Sequence, residues 1–170
     1  MTKLVADTSG LVSLGIAAYQ VPNPLDRCLG TYDLRVPETV LDELREVASY
    51  DDEHGRAAEA VLARSAEITT RSVTLDVEFP LDDGENAAVT LANDIDAELC
   101  LCDEFNRLGL IHASLANTRL VTTPTLLSVL VRTDQLPSDD ALALLEEISR
   151  ARSWEANSYV QRARSLLETS

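Results

Sequence analysis

Two aspartates each close a short apolar run: Leu4-Val5-Ala6 stops at Asp7, and Leu99-Cys100-Leu101-Cys102 stops at Asp103. Sites in open parallel sheets form outside the carboxyl ends of strands, so two strand-end acids in one chain point to a shared cleft. Each also reads as the N-cap of the helix that follows, since Asp is among the best capping residues. Two glutamates join them from helices. In VPETVLDELREVA, Val40, Leu41, Leu44, Val47 and Ala48 form one apolar stripe. At ~100° per residue Glu43 lies about 40° outside the Val47 edge of that stripe, while Glu38, Asp42 and Glu46 project further away. Glu43 is therefore either a solvated boundary residue or an acid at the margin of the core. In LDDGENAAVTLANDID, Glu85 shares a face with Ala88, Val89, Ala92 and Ile95. An acid on an apolar face needs a partner. A capping box with Asp82 as N-cap would supply one, and that is compatible with a functional role.

Asp7, Glu43, Glu85 and Asp103 can thus converge beside one sheet edge. Carboxylates so placed raise one another's pKa, and a divalent cation removes the repulsion. Oxygen-only donors suit Mg2+ or Mn2+. No His or Cys spacing suggests zinc, and His54 and His112 read as structural or solvent-exposed residues. Metal-assisted phosphodiester hydrolysis is the chemistry such a cluster serves best, the ion activating water and neutralising developing charge. Aspartyl phosphate transfer of the haloacid dehalogenase or receiver type needs a second acid two residues after the nucleophile, or an acidic pair before it. Asp7-Thr8-Ser9 supplies neither.

The composition sets wider bounds. Twenty-nine acidic residues against 14 basic ones leave a net charge of -15. The only lysine is Lys3. Such a balance reads either as an acidic protein that repels nucleic acid or, favoured by the scarcity of lysine, as adaptation to molar salt, where charge is screened beyond about 3 Å and says nothing against a nucleic-acid partner. Three cysteines, Cys28, Cys100 and Cys102, fit a reducing cytoplasm. No apolar run is long enough to span a bilayer.

Strand-length runs at 4–6, 34–36, 73–75, 99–102 and 120–122 alternate with helical patterns at 11–18, 39–48, 56–66, 85–96, 106–116 and 124–131. That alternation predicts βαβ units and a mostly parallel sheet in a three-layer α/β/α domain. Thr123 and Pro124 read as the cap and first residue of the last of these helices. Asp51-Asp52-Glu53 reads as a solvated turn. Helices at 139–150 and about 155–167 follow, the first announced by Pro137-Ser138-Asp139. The expected organisation is one domain over 1–170, with a core at about 3–131 and a C-terminal helical extension at about 139–168.

The chain resembles the PIN-domain ribonucleases, which include the VapC toxins of toxin–antitoxin pairs. VADTSGLVSL is similar to the family's opening strand–Asp–hydroxyl motif, and VPETVLDEL to its helix with one inward Glu. DDGENAAVTLA looks like the Gly-Glu helix start of one branch, LCLCDEFNRLGL like the late strand ending in Asp, and RSWEANSYVQRARSLL like that branch's C-terminal helix. The resemblance implies that Asp7, Glu43, Glu85 and Asp103 hold one or two Mg2+ or Mn2+ ions in an endoribonuclease. Ser9 would support the site through its hydroxyl, ahead of Thr8. Glu104 and Asn106 are candidates for a peripheral metal or water contact, though Glu104 reads equally as a solvated helix-start acid. Thr123 would line the cleft or cap the next helix, and Asp83 would stand in if Glu85 only caps. A Glu in the third position is a variant within the family. The candidate substrate cations are Arg107, Arg119 and Arg132. The implied partners are RNA, a small antitoxin protein and a second copy of the chain in a homodimer, with no membrane. A PIN-like module that binds RNA or protein without cutting is the alternative.

Overall fold

A computed structural model describes all 170 residues, Met1–Ser170. Five strands form one sheet: β1 (Thr2–Ala6), β2 (Tyr32–Pro37), β3 (Thr69–Arg71), β4 (Leu99–Leu101) and β5 (Arg119–Val121), in the order β3-β2-β1-β4-β5. Every pairing is parallel, so the sheet is wholly rather than mostly parallel. The chain leaves β1 toward β2 and β3 on one side, then returns to lay β4 and β5 on the other. The strand order therefore reverses between β1 and β4, and a doubly wound sheet opens a crevice at that point.

Alternation along the central strands builds two unequal layers. Leu4, Ala6, Leu34, Val36 and Leu101 face a cluster of 33 buried residues, whereas Val5 and Cys100 face a smaller one with Ala88, Leu91 and Ala92. The large layer is packed by α1 (Thr8–Ile16), α3 (Glu38–Ala48), α4 (Glu53–Leu62), α7 (Thr123–Arg132), α8 (Ser138–Arg152) and α9 (Ser158–Glu168). The small layer is covered by α5 (Asp83–Ile95) and α6 (Leu108–Ser114). Leu144, Leu145, Ile148, Val160, Ala163 and Leu167 carry the last two helices into the large cluster. None of the helices is long and apolar enough to cross a membrane.

Two expectations shift, the third strand and the cap of α7, and two details are added. The third strand lies at Thr69–Arg71, not 73–75, because register sets Arg35 against Thr69 and Pro37 against Arg71. It is an edge strand with all three residues exposed, so it carries no apolar signature. Val73, the apolar residue that opens the 73–75 run, packs instead on the small layer. An unanticipated helix, α2 (Pro24–Thr31), is started by Asn23, whose side chain accepts from Leu25 N and Asp26 N. Asp51 and Asp52 do form an exposed turn between α3 and α4, and Asp52 there caps α4 by accepting from Gly55 N at 2.7 Å. Thr122, not Thr123, caps α7.

Close packing of α1 on α4 depends on Gly15, where a Cβ would stand 2.3 Å from the Ala57 carbonyl oxygen. That oxygen belongs to a helix backbone and cannot swing aside. Gly15→Ala should lower unfolding free energy by about 1–3 kcal/mol, the range for overpacking a tight core. Urea denaturation with an unchanged slope is the check. A gain in stability would show that the two helices slide apart freely.

Candidate functional site

Asp7 follows the last residue of β1, and its N–H still bonds the Leu101 carbonyl at 3.1 Å, continuing the sheet. Its side chain is 3 % exposed. Oδ1 accepts from Gly10 N at 2.9 Å and from Ser9 Oγ at 2.8 Å, so the carboxylate does cap α1. Neither nitrogen nor oxygen donor falls on Oδ2. Asp103 stands across the sheet reversal, 4 % exposed, and its own N–H donates to Ser9 Oγ at 2.9 Å. Ser9 thus joins the two strand-end acids directly. Thr123 takes up the other side of Asp103, donating N–H to Oδ1 at 2.7 Å and Oγ1–H to Oδ2 at 2.5 Å. The residue expected to line the cleft or cap a helix instead fixes a carboxylate.

Glu43 sits at the margin of the core, as its helical phase predicts, and its Oε1 accepts from the Thr8 hydroxyl. Thr8 and Ser9 therefore divide the hydroxyl's expected work, one on Glu43 and one between the aspartates. The amino end of α5 comes close to Glu43: a Cβ on Gly84 would fall 2.1 Å from Glu43 Oε1. Glu85, 4 % exposed, completes a capping box with Asp82. It also receives Arg107 Nε at 2.8 and 3.1 Å, while Arg107 Nη2 donates to the Pro80 carbonyl at 2.9 Å.

Asp7, Glu43 and Glu85 border one gap of about 40 Å³ together with Asp82 and Glu104. Asp103 faces a wider neighbouring cleft of about 770 Å³, shared with Glu43, Glu104 and Asn106. The helix-start acid that enters is Asp82, not Asp83, and the capping-box spacing was the signal that could have marked it. His54 lies on the rim, its Nε2 3.3 Å from the Ala151 oxygen, whereas His112 belongs to a separate groove beside Tyr159. The three arginines proposed as substrate cations are not free at the cleft. Arg107 is committed to Glu85, Arg119 opens β5 at the amino edge of the sheet, and Arg132 ends the helix that Thr123 begins. The cleft holds Arg152 instead.

The electrostatics follow from burial. Asp7 is pushed up from 3.8 to about 7, chiefly by loss of hydration, against relief from the Cys102 thiol, Gly10 N–H and Ser9 hydroxyl. Asp103 is raised by burial despite its Thr123 bonds, and Glu43 by burial despite Thr8, with Asp82 and Asp83 adding repulsion. Glu104 at the rim is raised by partial desolvation and then by Glu85. These groups are costly to ionise as they stand.

No three carboxylates, imidazoles or thiols are gathered tightly enough to form a ready-made ligand set. The four predicted acids line two adjoining spaces rather than one knot. Their chemistry nonetheless fits a hard divalent cation. The donors are oxygens only, Asp7 Oδ2 takes no N–H or O–H donor, and each Asp103 oxygen keeps a lone pair after its Thr123 bond.

No curated protein matches the chain. A protein family described as a PIN domain matches residues 3–169. PIN domains are generally nucleases, that is hydrolases, and they usually employ divalent metals. The match runs through both strand-end aspartates, the Glu43 and Glu85 helices and the C-terminal helix pair, and this chain belongs to the PIN-domain family.

Proposed function

We propose that the protein is an endoribonuclease that hydrolyses RNA phosphodiester bonds with Mg2+ or Mn2+. In this reading it is the toxin of a toxin–antitoxin pair, restrained by a small antitoxin protein and working as a homodimer. The observation that carries the hydrolytic part is the buried Asp7–Ser9–Asp103 link at the reversal of the sheet, opening on a cleft lined by further carboxylates. The toxin role, antitoxin and dimer rest on the likeness of the Gly-Glu helix start and the C-terminal helix to the VapC branch.

Asp7, Glu43, Glu85 and Asp103 would hold one or two such ions, which when bound would acidify the attacking water and neutralise charge developing on the phosphate. Around them the chain's own residues fix geometry. Ser9 sets the spacing of the two aspartates, Thr123 the rotamer of Asp103, and Thr8 that of Glu43. Of the four acids Glu85 alone has a standing cationic partner, Arg107.

Asp7→Asn and Asp103→Asn should each reduce Mn2+-dependent RNA cleavage by more than the roughly 10–100-fold that loss of an outer-shell partner costs. Cleavage is followed on structured and unstructured RNA, at low and at molar salt, with EDTA as control. Normal cutting by both variants would remove the cluster from the site.

The buried acids also set a pH dependence of stability. Native Asp7 holds its proton up to about pH 7, whereas the unfolded chain releases it near 3.8. Without divalent ions, stability should therefore fall as pH rises between about 4 and about 7, by at most about 4 kcal/mol from this group. Asp7→Asn, which keeps a capping oxygen, should flatten that part of the curve and be the more stable protein at pH 8. Mn2+ should raise the wild-type melting temperature at pH 8 and not at pH 4. A wild-type curve that coincides with the variant's across this range would show Asp7 to be ionised and content without a cation.

A further inference from the structure

One cation stands in the carboxylate cleft without an acidic partner. Among the 14 basic residues, Arg35, Arg45, Arg64, Arg107, Arg150 and Arg164 form ion pairs. Of those that form none, Arg152 alone lines the cleft that contains Glu43, Asp103 and Glu104. It donates no hydrogen bond within the protein, although burial raises Asp103 and Glu104 and the charge of Arg152 helps lower both.

The fold holds Arg152 there by other means. It is the last residue of α8, and Ser153 ends the helix in the left-handed region at φ 58°. The chain then turns Trp154 back into the core, with its N–H on the Ser149 carbonyl at 2.9 Å. The Arg152 guanidinium lies over the Trp154 ring, 5.5 Å from its centroid. Trp154 in turn meets the edge of Phe105 at 4.9 Å, two residues past Asp103. His54 braces the same helix end through the Ala151 carbonyl. A guanidinium placed by an aromatic face keeps its fork of N–H donors for an incoming ligand, and that fork matches two oxygens of a phosphate.

We propose that Arg152 is the substrate-gripping residue of the cleft, its guanidinium binding the phosphodiester backbone of the nucleic acid. This rests on the nuclease reading above. It gives the C-terminal helix pair a function: α8 and the turn after it bring an unpaired cation to an acidic crevice that otherwise repels its substrate. Binding of that kind acts on the ground state and transition state alike, so it belongs to affinity rather than turnover.

The test measures binding separately from cutting. Fluorescence anisotropy of a labelled mixed-sequence RNA 20-mer is recorded on the Asp7→Asn protein without divalent ions, from about 0.1 to about 1 M KCl. Adding Arg152→Gln should weaken binding about tenfold at the low-salt end and reduce the log–log salt slope by about 1. Arg152→Lys should restore part of the affinity and the slope, and Arg132→Gln should change neither. Equal melting temperatures for the variants exclude a folding effect, with Arg152→Lys as the milder probe if Arg152→Gln is unstable. Wild-type affinity and slope in Arg152→Gln would overturn the proposal while leaving the nuclease reading to its own Asp7-dependent cleavage. Failure of the Asp7→Asn protein itself to bind RNA at low salt would overturn the proposal. Failure of the wild type to cut any RNA with Mn2+ counts separately against the nuclease reading.

Discussion

Two buried aspartates just past the ends of neighbouring strands, the carboxylate of one tied to the backbone of the other through a serine hydroxyl, are the constraint that organises this molecule. Ser9 donates to Asp7 and accepts from the backbone N–H of Asp103. That geometry demands that β1 and β4 be adjacent and in register, and Val5 does lie opposite Cys100. It also demands that α1 begin at once after β1, since Ser9 is the second residue of that helix. Gly10 permits this approach: a Cβ there would sit 2.6 Å from the Leu101 side chain. A buried carboxylate is expensive unless hydrogen-bonded or paired. The hydroxyls of Ser9 and Thr123 and the N–H groups of Gly10 and Thr123 lessen the expense at Asp7 and Asp103 without abolishing it.

The two layers of helices answer separate parts of that constraint. The larger layer anchors α1, α3 and α7, and so fixes Asp7, Glu43 and Thr123 from one face of the sheet. The smaller layer anchors α5, which presents Glu85 and its cap Asp82 from the other. Glu43 and Glu85 therefore reach the crevice from opposite faces, and the narrow contact at Gly84 is where the two layers meet over it.

Legibility in the sequence followed physical range. Apolar runs that end on an acid marked β1 and β4 and their aspartates, because buried central strands must be apolar on both faces. Helical phase placed Glu43 at the core margin and Glu85 on a buried face. Edge strand β3 escaped notice because Thr69, Thr70 and Arg71 bury nothing. Helix α2 is short and amphipathic only through Leu25 and Cys28, although Asn23-Pro24 carried a capping signal. Strand order, and hence the reversal between β1 and β4, lies in long-range pairing that local patterns do not encode. Thr123 illustrates the same gap. A Thr before Pro reads as a helix cap, yet Thr122 does the capping, and the neighbouring hydroxyl is free to meet an aspartate twenty residues earlier.

Charge was the least legible property, and the reason is instructive. Arg107 follows the β4 aspartate and looked like a substrate contact, but Glu85 on a buried helix face needs a counter-charge and Arg107 is the cation within reach. Arg107 is spent on holding the fold, and so the site's surplus negative charge has to be met from elsewhere in the chain. Arg152 is 49 residues beyond Asp103, in a helical extension whose sequence shows only an amphipathic packing face. Its place at the crevice depends on a left-handed turn at Ser153 and on the edge-to-face contact of Trp154 with Phe105. Three local features, none of them informative singly, add up to one long-range placement. An acidic crevice that must receive a polyanion requires some such placement, because carboxylates on both faces of the sheet raise the local potential barrier that a phosphate must cross.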